Sequence, residues 1–156
     1  MEKIIKPAFT VIGKEGSTRD GEGFIPRLWE EANSHFGEIA PLAKMENGKL
    51  AGVWGAMSDF SRSFQPWEEG FTQGLYLAGA ECVDGAECVD GAEPPEGWTK
   101  WVIPGYEYIR VESGPSAFPD TLAWLAENSL DLAGAVHDFT DPATGKEYMY
   151  FPIRRL

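Results

Sequence analysis

Two cysteines and two histidines are all that this chain of 156 residues offers to soft-metal chemistry. Neither pair has the ligand spacing of a zinc site, so no metal motif is present. Basic side chains are scarce as well: 13 Lys and Arg stand against 25 Asp and Glu, a formal net charge of −12. A surface of that sign repels phosphate backbones, which argues against direct nucleic-acid binding. No apolar run approaches the ~20 residues of a membrane span. The opening MEKIIKPAF has no long apolar segment before a small-residue cleavage site, so it is not a secretory signal. Two cysteines without an export signal favour a reduced, cytoplasmic setting. Nucleophile elbow, P-loop and dinucleotide glycine signature are all missing, and no cofactor is expected.

What is present is a globular composition. Hydrophobic residues make up 43% and aromatics 13%, enough for one domain over residues 1–156. A strand is predicted from Lys6 to Glu15. Phe24, Leu28, Ala32 and Phe36 then recur at helical spacing, with Pro26 fitting a first turn and Gly37 a stop. Asn47-Gly48 marks a turn. Strands follow in LAGVWGAMSDF and TQGLYLAGAECV. One long strand is predicted across WTKWVIPGYEYIRVES, kinked at Pro104-Gly105. A short helix carries Leu122, Leu125 and Ala126 on its apolar stripe. LDLAGAVHDFTDP and EYMYFPIRR are the last strands.

The order is β-α-β-β, twice. Leu50-Ala51-Gly52-Val53 after the first helix is echoed by Leu132-Ala133-Gly134-Ala135 after the second, and VIGKEGS before the first by YIRVESG before the second. We therefore expect an α+β fold of duplicated βαββ units, with pseudo-repeats over about 1–84 and 98–156. Antiparallel sheets would carry two helices on one side and a central ligand groove on the other.

Between the repeats, residues 79–97 hold GAECVD twice over. It is read as an in-frame duplication in a hairpin loop, where insertions cost little. The alternatives are an extended hairpin, a divalent-ion site from Glu81, Asp84, Glu87 and Asp90, and a Cys82–Cys88 disulfide, the last disfavoured in a reduced compartment.

Strand alternation sorts the aromatics. Met149, Phe151 and Ile153 share one face of the last strand and Tyr148 and Tyr150 the other. Ile109 and Val111 oppose Tyr106, Tyr108 and Arg110 in the same way. The aliphatic faces should meet the helices, leaving the tyrosines to the groove. The candidate ligand-binding residues are Trp54, Met57, Tyr76, Trp98, Trp101, Tyr106, Tyr108, His137, Phe139 and Tyr148. Aromatic rings beside a carboxylate such as Asp138 suit flat or cationic organic molecules, at ~0.5–2 kcal/mol per cation–π contact. Any single ring could equally be core. His137 and Asp138 are adjacent on a strand, so they point to opposite faces and form no natural dyad.

YLAGAEC, PEGW, VIPGYEYIRVESGP, a short helix with LAWL, and EYMYFPIRR together resemble the GyrI-like small-molecule-binding domain. That family includes the effector-binding halves of AraC-type and MerR-type multidrug regulators. The resemblance implies the duplicated βαββ fold and a groove for amphipathic, often cationic or aromatic, ligands. Regulators of the family usually place an acidic residue two before a tyrosine in the strand after the second helix. Here the nearest match is Asp138-Phe139-Thr140, and the tyrosine is missing. No helix-turn-helix pattern flanks the domain, which reads as a stand-alone member.

Three functions are open. The first is a binding protein for a hydrophobic or cationic small molecule, in drug or toxin resistance or sensing. The second, implied by a stand-alone subset of the family, is a hydrolase of cyclopropane-bearing electrophiles. Its candidate catalytic groups are Glu107, Glu112 and Asp138, with Tyr108 or Tyr148 as donor. The third is an acidic protein-interaction module, for instance one that modulates gyrase.

Overall fold

The computed structural model describes residues 1–83 and 94–156. The readings placed on Asp84, Glu87, Cys88, Asp90 and the second hexapeptide lie outside the described residues. Cys82 is disulfide-bonded, which departs from the expectation of reduced thiols.

The first half of the chain runs β1 (Glu2–Lys6), β2 (Phe9–Ser17), α1 (Phe24–Ser34), β3 (Met45–Glu46), β4 (Lys49–Leu50), β5 (Val53–Ser58), the single turn α2 (Glu68–Phe71) and β6 (Leu75–Glu81). The second half runs β7 (Thr99–Ile103), β8 (Tyr106–Glu112), α3 (Ala117–Glu127), β9 (His137–Thr140) and β10 (Glu147–Arg155). Asn47 and Gly48, both at positive φ (53° and 79°), make the two-residue turn of the β3–β4 hairpin, as their types predict.

The remaining strands form one eight-stranded antiparallel sheet in the order β1-β8-β10-β9-β5-β6-β2-β7. Each βαββ unit supplies three neighbouring strands, β5-β6-β2 and β9-β10-β8, and the units join where β5 pairs β9. The strand preceding each unit is exchanged: β1 pairs β8 of the second unit, and β7 pairs β2 of the first. This is the duplication read from the sequence, with one refinement. The segment expected as one kinked strand is two strands, β7 and β8, at opposite ends of the sheet. Pro104 and Gly105 turn the corner between them, as Pro7 and Ala8 do between β1 and the end of β2. Proline lacks the N–H that a continued ladder needs, so the strands break there. Strand β1 was not foreseen; its charged ends fit an edge.

The sheet curls so far that its two ends share one core. Ile4 of β1 and Tyr106 of β8 pack in the same cluster as Phe9 of β2 and Ile103 of β7. Lys6 crosses the curl to Glu81 of β6 at 3.2 Å, and Trp54 Nε1 donates to the same carboxylate at 3.2 Å. The loop after β5 closes one end. Phe64 lies edge-on to Trp101 at 5.8 Å, and its carbonyl accepts from Ala135 N–H at 2.8 Å.

Both helices pack on the outer face. Helix α1 lays Leu28 and Ala32 over β2 and β6, whereas α3 lays Leu122 and Leu125 over Ile109, Val111 and Phe151. The aliphatic parity of β8 and β10 meets a helix, as expected. Each large side chain so buried is worth ~1.5–3 kcal/mol. No helix among the described residues is long and apolar enough to cross a membrane.

Candidate functional site

Curling decides which face can hold a guest. The inner face is full: Trp54, Trp101, Tyr106, Tyr108 and Tyr150 are all buried there, and their rings touch edge to face. The open space lies on the outer face, between the two helices and over the β5–β9 seam. The groove is thus on the helix side of the sheet, not opposite it. The tyrosine parity of β8 and β10 looks inward because the curl turns that face into a closed core.

Strand parity builds the groove. In β5, Val53, Gly55 and Met57 face outward. In β9, Asp138 does so beside Gly55, and in β10 Met149 beside Asp138. Together with Tyr76 of β6 and Trp29 of α1 they surround a seam hollow of about 500 Å³. Residue 55 has to be glycine: a Cβ there would lie 2.0 Å from the Tyr76 hydroxyl, which crosses the strand at that point. That hydroxyl accepts from Trp29 Nε1 at 3.0 Å. Burial, and then the charge of Asp138, hold the Tyr76 phenol above the usual tyrosine range, so it keeps its proton.

Asp138 sits at the centre. Burial, and secondarily Glu147, pushes its carboxyl up to about 6. No cation or hydrogen-bond donor among the described residues answers its charge. Two further hollows adjoin the seam. One, of about 230 Å³, is bounded by Met57, Trp67, Phe71, Phe118 and Val136, and shares Asp138 and Met149 with the seam hollow. The other, of about 300 Å³, lies under the end of α1 against Phe36, Ile39 and Trp98, and shares Trp29 and Val53.

Of the residues singled out from sequence, Tyr76, Asp138, Phe139 and Tyr148 border the seam hollow, Met57 the small one and Trp98 the one under α1. Trp54, Trp101, Tyr106 and Tyr108 line none of these hollows and belong to the closed inner core. His137 is wholly buried on the inner side, opposite Asp138 as alternation requires. Its Nδ1 accepts from Met57 N–H at 3.0 Å, and burial drives its imidazole down to about 3, so it stays neutral. Glu107 reaches Arg154 at 3.6 Å, and Glu112 is exposed, both away from the hollows. Sequence reading missed Trp29, Gly55, Trp67, Phe118 and Met149. Of these only Met149 had been given a strand face, and its parity was assigned to helix packing.

No family model and no curated protein sequence matches the chain. Solved structures do. SAV2435 bound to tetraphenylphosphonium superposes with a TM-score of 0.60 at 14% identity, covering 98% of this chain and 93% of that one. The C-terminal domain of EcmrR superposes at 0.62 and 15% identity, covering 99% and 98%. In a complex of EcmrR with DNA the match is 0.63 at 14% identity, over 99% of this chain and 58% of that chain. This chain has the fold of these domains. The GyrI-like resemblance read from its strands and turns thus holds at the level of architecture, over nearly its whole length.

Proposed function

We propose that this chain binds amphipathic, aromatic or cationic small molecules in the groove between its helices, in drug or toxin resistance or sensing. One observation carries the reading. Asp138 is a largely buried carboxylate with no partner of its own, walled by Trp29, Tyr76 and Met149 in a hollow of about 500 Å³. An unanswered charge in such a place is costly, and a ligand cation flanked by rings would offset the cost. The volume lies within the usual range for small-molecule sites, ~300–1,000 Å³. SAV2435, of like fold, is bound to tetraphenylphosphonium, which adds support. With a net charge of −12, the domain is read as having no nucleic-acid surface of its own. Titrating the protein with tetraphenylphosphonium should quench tryptophan emission saturably, because Trp29 lines the hollow. A flat titration would remove the reading.

A second reading, hydrolysis of a cyclopropane-bearing electrophile, is favoured by the same carboxyl. An acid with its pKa near 6 can donate or accept a proton close to neutrality. Asp138 and the protonated Tyr76 would be the reacting groups, in place of Glu107 and Tyr108. Incubation with a cyclopropanoid substrate, followed by chromatography for ring-opened product, separates turnover from binding.

A further inference from the structure

The groove also says where along a ligand the charge should sit. Asp138 is not at the end of a pocket. It stands in the wall common to the seam hollow and the small hollow, with Met149 beside it. The small hollow is apolar on its remaining sides: Met57, Pro66, Trp67, Phe71, Phe118 and Val136. Phe71 and Phe118 meet edge to face at 5.1 Å in its wall. At about 230 Å³ it has room for one aromatic ring, since a ~150 Å³ apolar cavity takes up benzene. On the other side the seam hollow, about 500 Å³, offers the rings of Trp29 and Tyr76 to a second and larger group.

We infer that the groove selects cations whose charge lies between two apolar arms, one ring-sized and one larger, over amphiphiles of the same composition that carry the charge at one end. A cation between two arms can meet Asp138 at the partition while each arm fills a hollow. A cation at one end forces a choice. If it pairs with Asp138, both rings must enter the same hollow and the other stays unfilled; if the rings divide, the charge lies away from the carboxylate.

This deepens the binding reading and rests on it. The test is a pair of isomeric amines: dibenzylamine, with its ammonium between two rings, and the geminal diphenylethylamine, with both rings on one carbon and a terminal ammonium. Calorimetric titration of the intact protein at pH 7.5 should give at least a tenfold tighter Kd for dibenzylammonium. Met57→Phe, which sets a rigid ring against the small hollow and narrows it, should bring the two towards parity by weakening only dibenzylammonium. Should that variant not fold, Phe71→Ala, which opens a wall of the hollow at the exposed end of the single turn α2, should lower the same preference severalfold. Equal binding of both amines would overturn the inference and leave the binding reading standing. An equal loss of both amines in Met57→Phe would also overturn it. Binding of neither amine, together with no response to tetraphenylphosphonium, would remove the binding reading itself.

Discussion

The two faces of the one sheet carry similar aromatic inventories and do opposite things. The inner face packs Trp54, Trp101, Tyr106, Tyr108 and Tyr150 against one another and leaves nothing open. The outer face spreads Trp29, Tyr76, Trp67 and Phe118 around hollows, with one unpaired carboxylate among them. The difference lies in closure. Curling brings β1 and β8 within reach of β2 and β7 on the inner side, so rings find rings. On the outer side the two helices cover β2/β6 and the β8 side of the sheet and stay apart over the β5–β9 seam. Aromatic content alone therefore does not mark a binding site; what the second layer covers does.

That contrast can be broken most strongly on the inner face. Trp54→Ala should cost about 3–5 kcal/mol, the range for deleting a buried aromatic, read as a lower midpoint in denaturant unfolding. It also frees one hydrogen bond of Glu81. Asp138→Asn on the outer face should do the reverse. Affinity for tetraphenylphosphonium should fall roughly 30-fold, the ~2 kcal/mol expected when one partner of a desolvated charge pair is removed. Stability should rise at the same time. The Asp138 carboxyl is raised from 3.8 to about 6 on folding, so the folded state holds its proton more tightly than the unfolded one. Its contribution becomes unfavourable as pH rises through that window, and the cost is full above it. Removing the charge should recover about 3 kcal/mol at pH 7, measured by thermal unfolding. A variant that loses binding and stability together would make Asp138 a packing residue instead.

A smaller effect sharpens the comparison further. Tetraphenylphosphonium does not titrate, so any pH dependence of its binding belongs to the protein. Affinity should rise ~tenfold between pH 5 and 7 and level off above, following ionisation of a group near 6. Asp138→Asn should flatten that curve. His137 should contribute nothing to it, because burial keeps the ring neutral throughout. The smallest change is Trp29→Phe. It keeps a ring in the hollow but leaves the Tyr76 hydroxyl without its donor, a loss of about 1 kcal/mol in unfolding free energy.

Much of the architecture was legible along the chain. Alternation at Tyr148–Ile153 and Tyr106–Val111 separated the two faces of β10 and β8, and Asn47-Gly48 announced its hairpin. The Leu-Ala-Gly echoes at 50–52 and 132–134 pointed to duplication. Asp138 was singled out, and it stands at the centre of the groove. Misjudged was the side on which the groove opens. Met149 and Val53 carry the parity of ordinary helix-packing residues, and nothing local says that the helix will stop short of them. Gly55 likewise gave no sign, since its need is set by Tyr76, a strand neighbour 21 positions later.

The sequence by itself determined two βαββ units, the face parity of β8 and β10, and an acidic side chain on the face of β9 opposite His137. Those properties follow from period-2 alternation and local turn chemistry, which act over a few residues. Only the tertiary structure decided that one ring-rich face would close into core while the other stayed open around Asp138. Closure depends on β1 and β7 being exchanged between the units and on how far the sheet curls, and both are sums of contacts between strands distant along the chain.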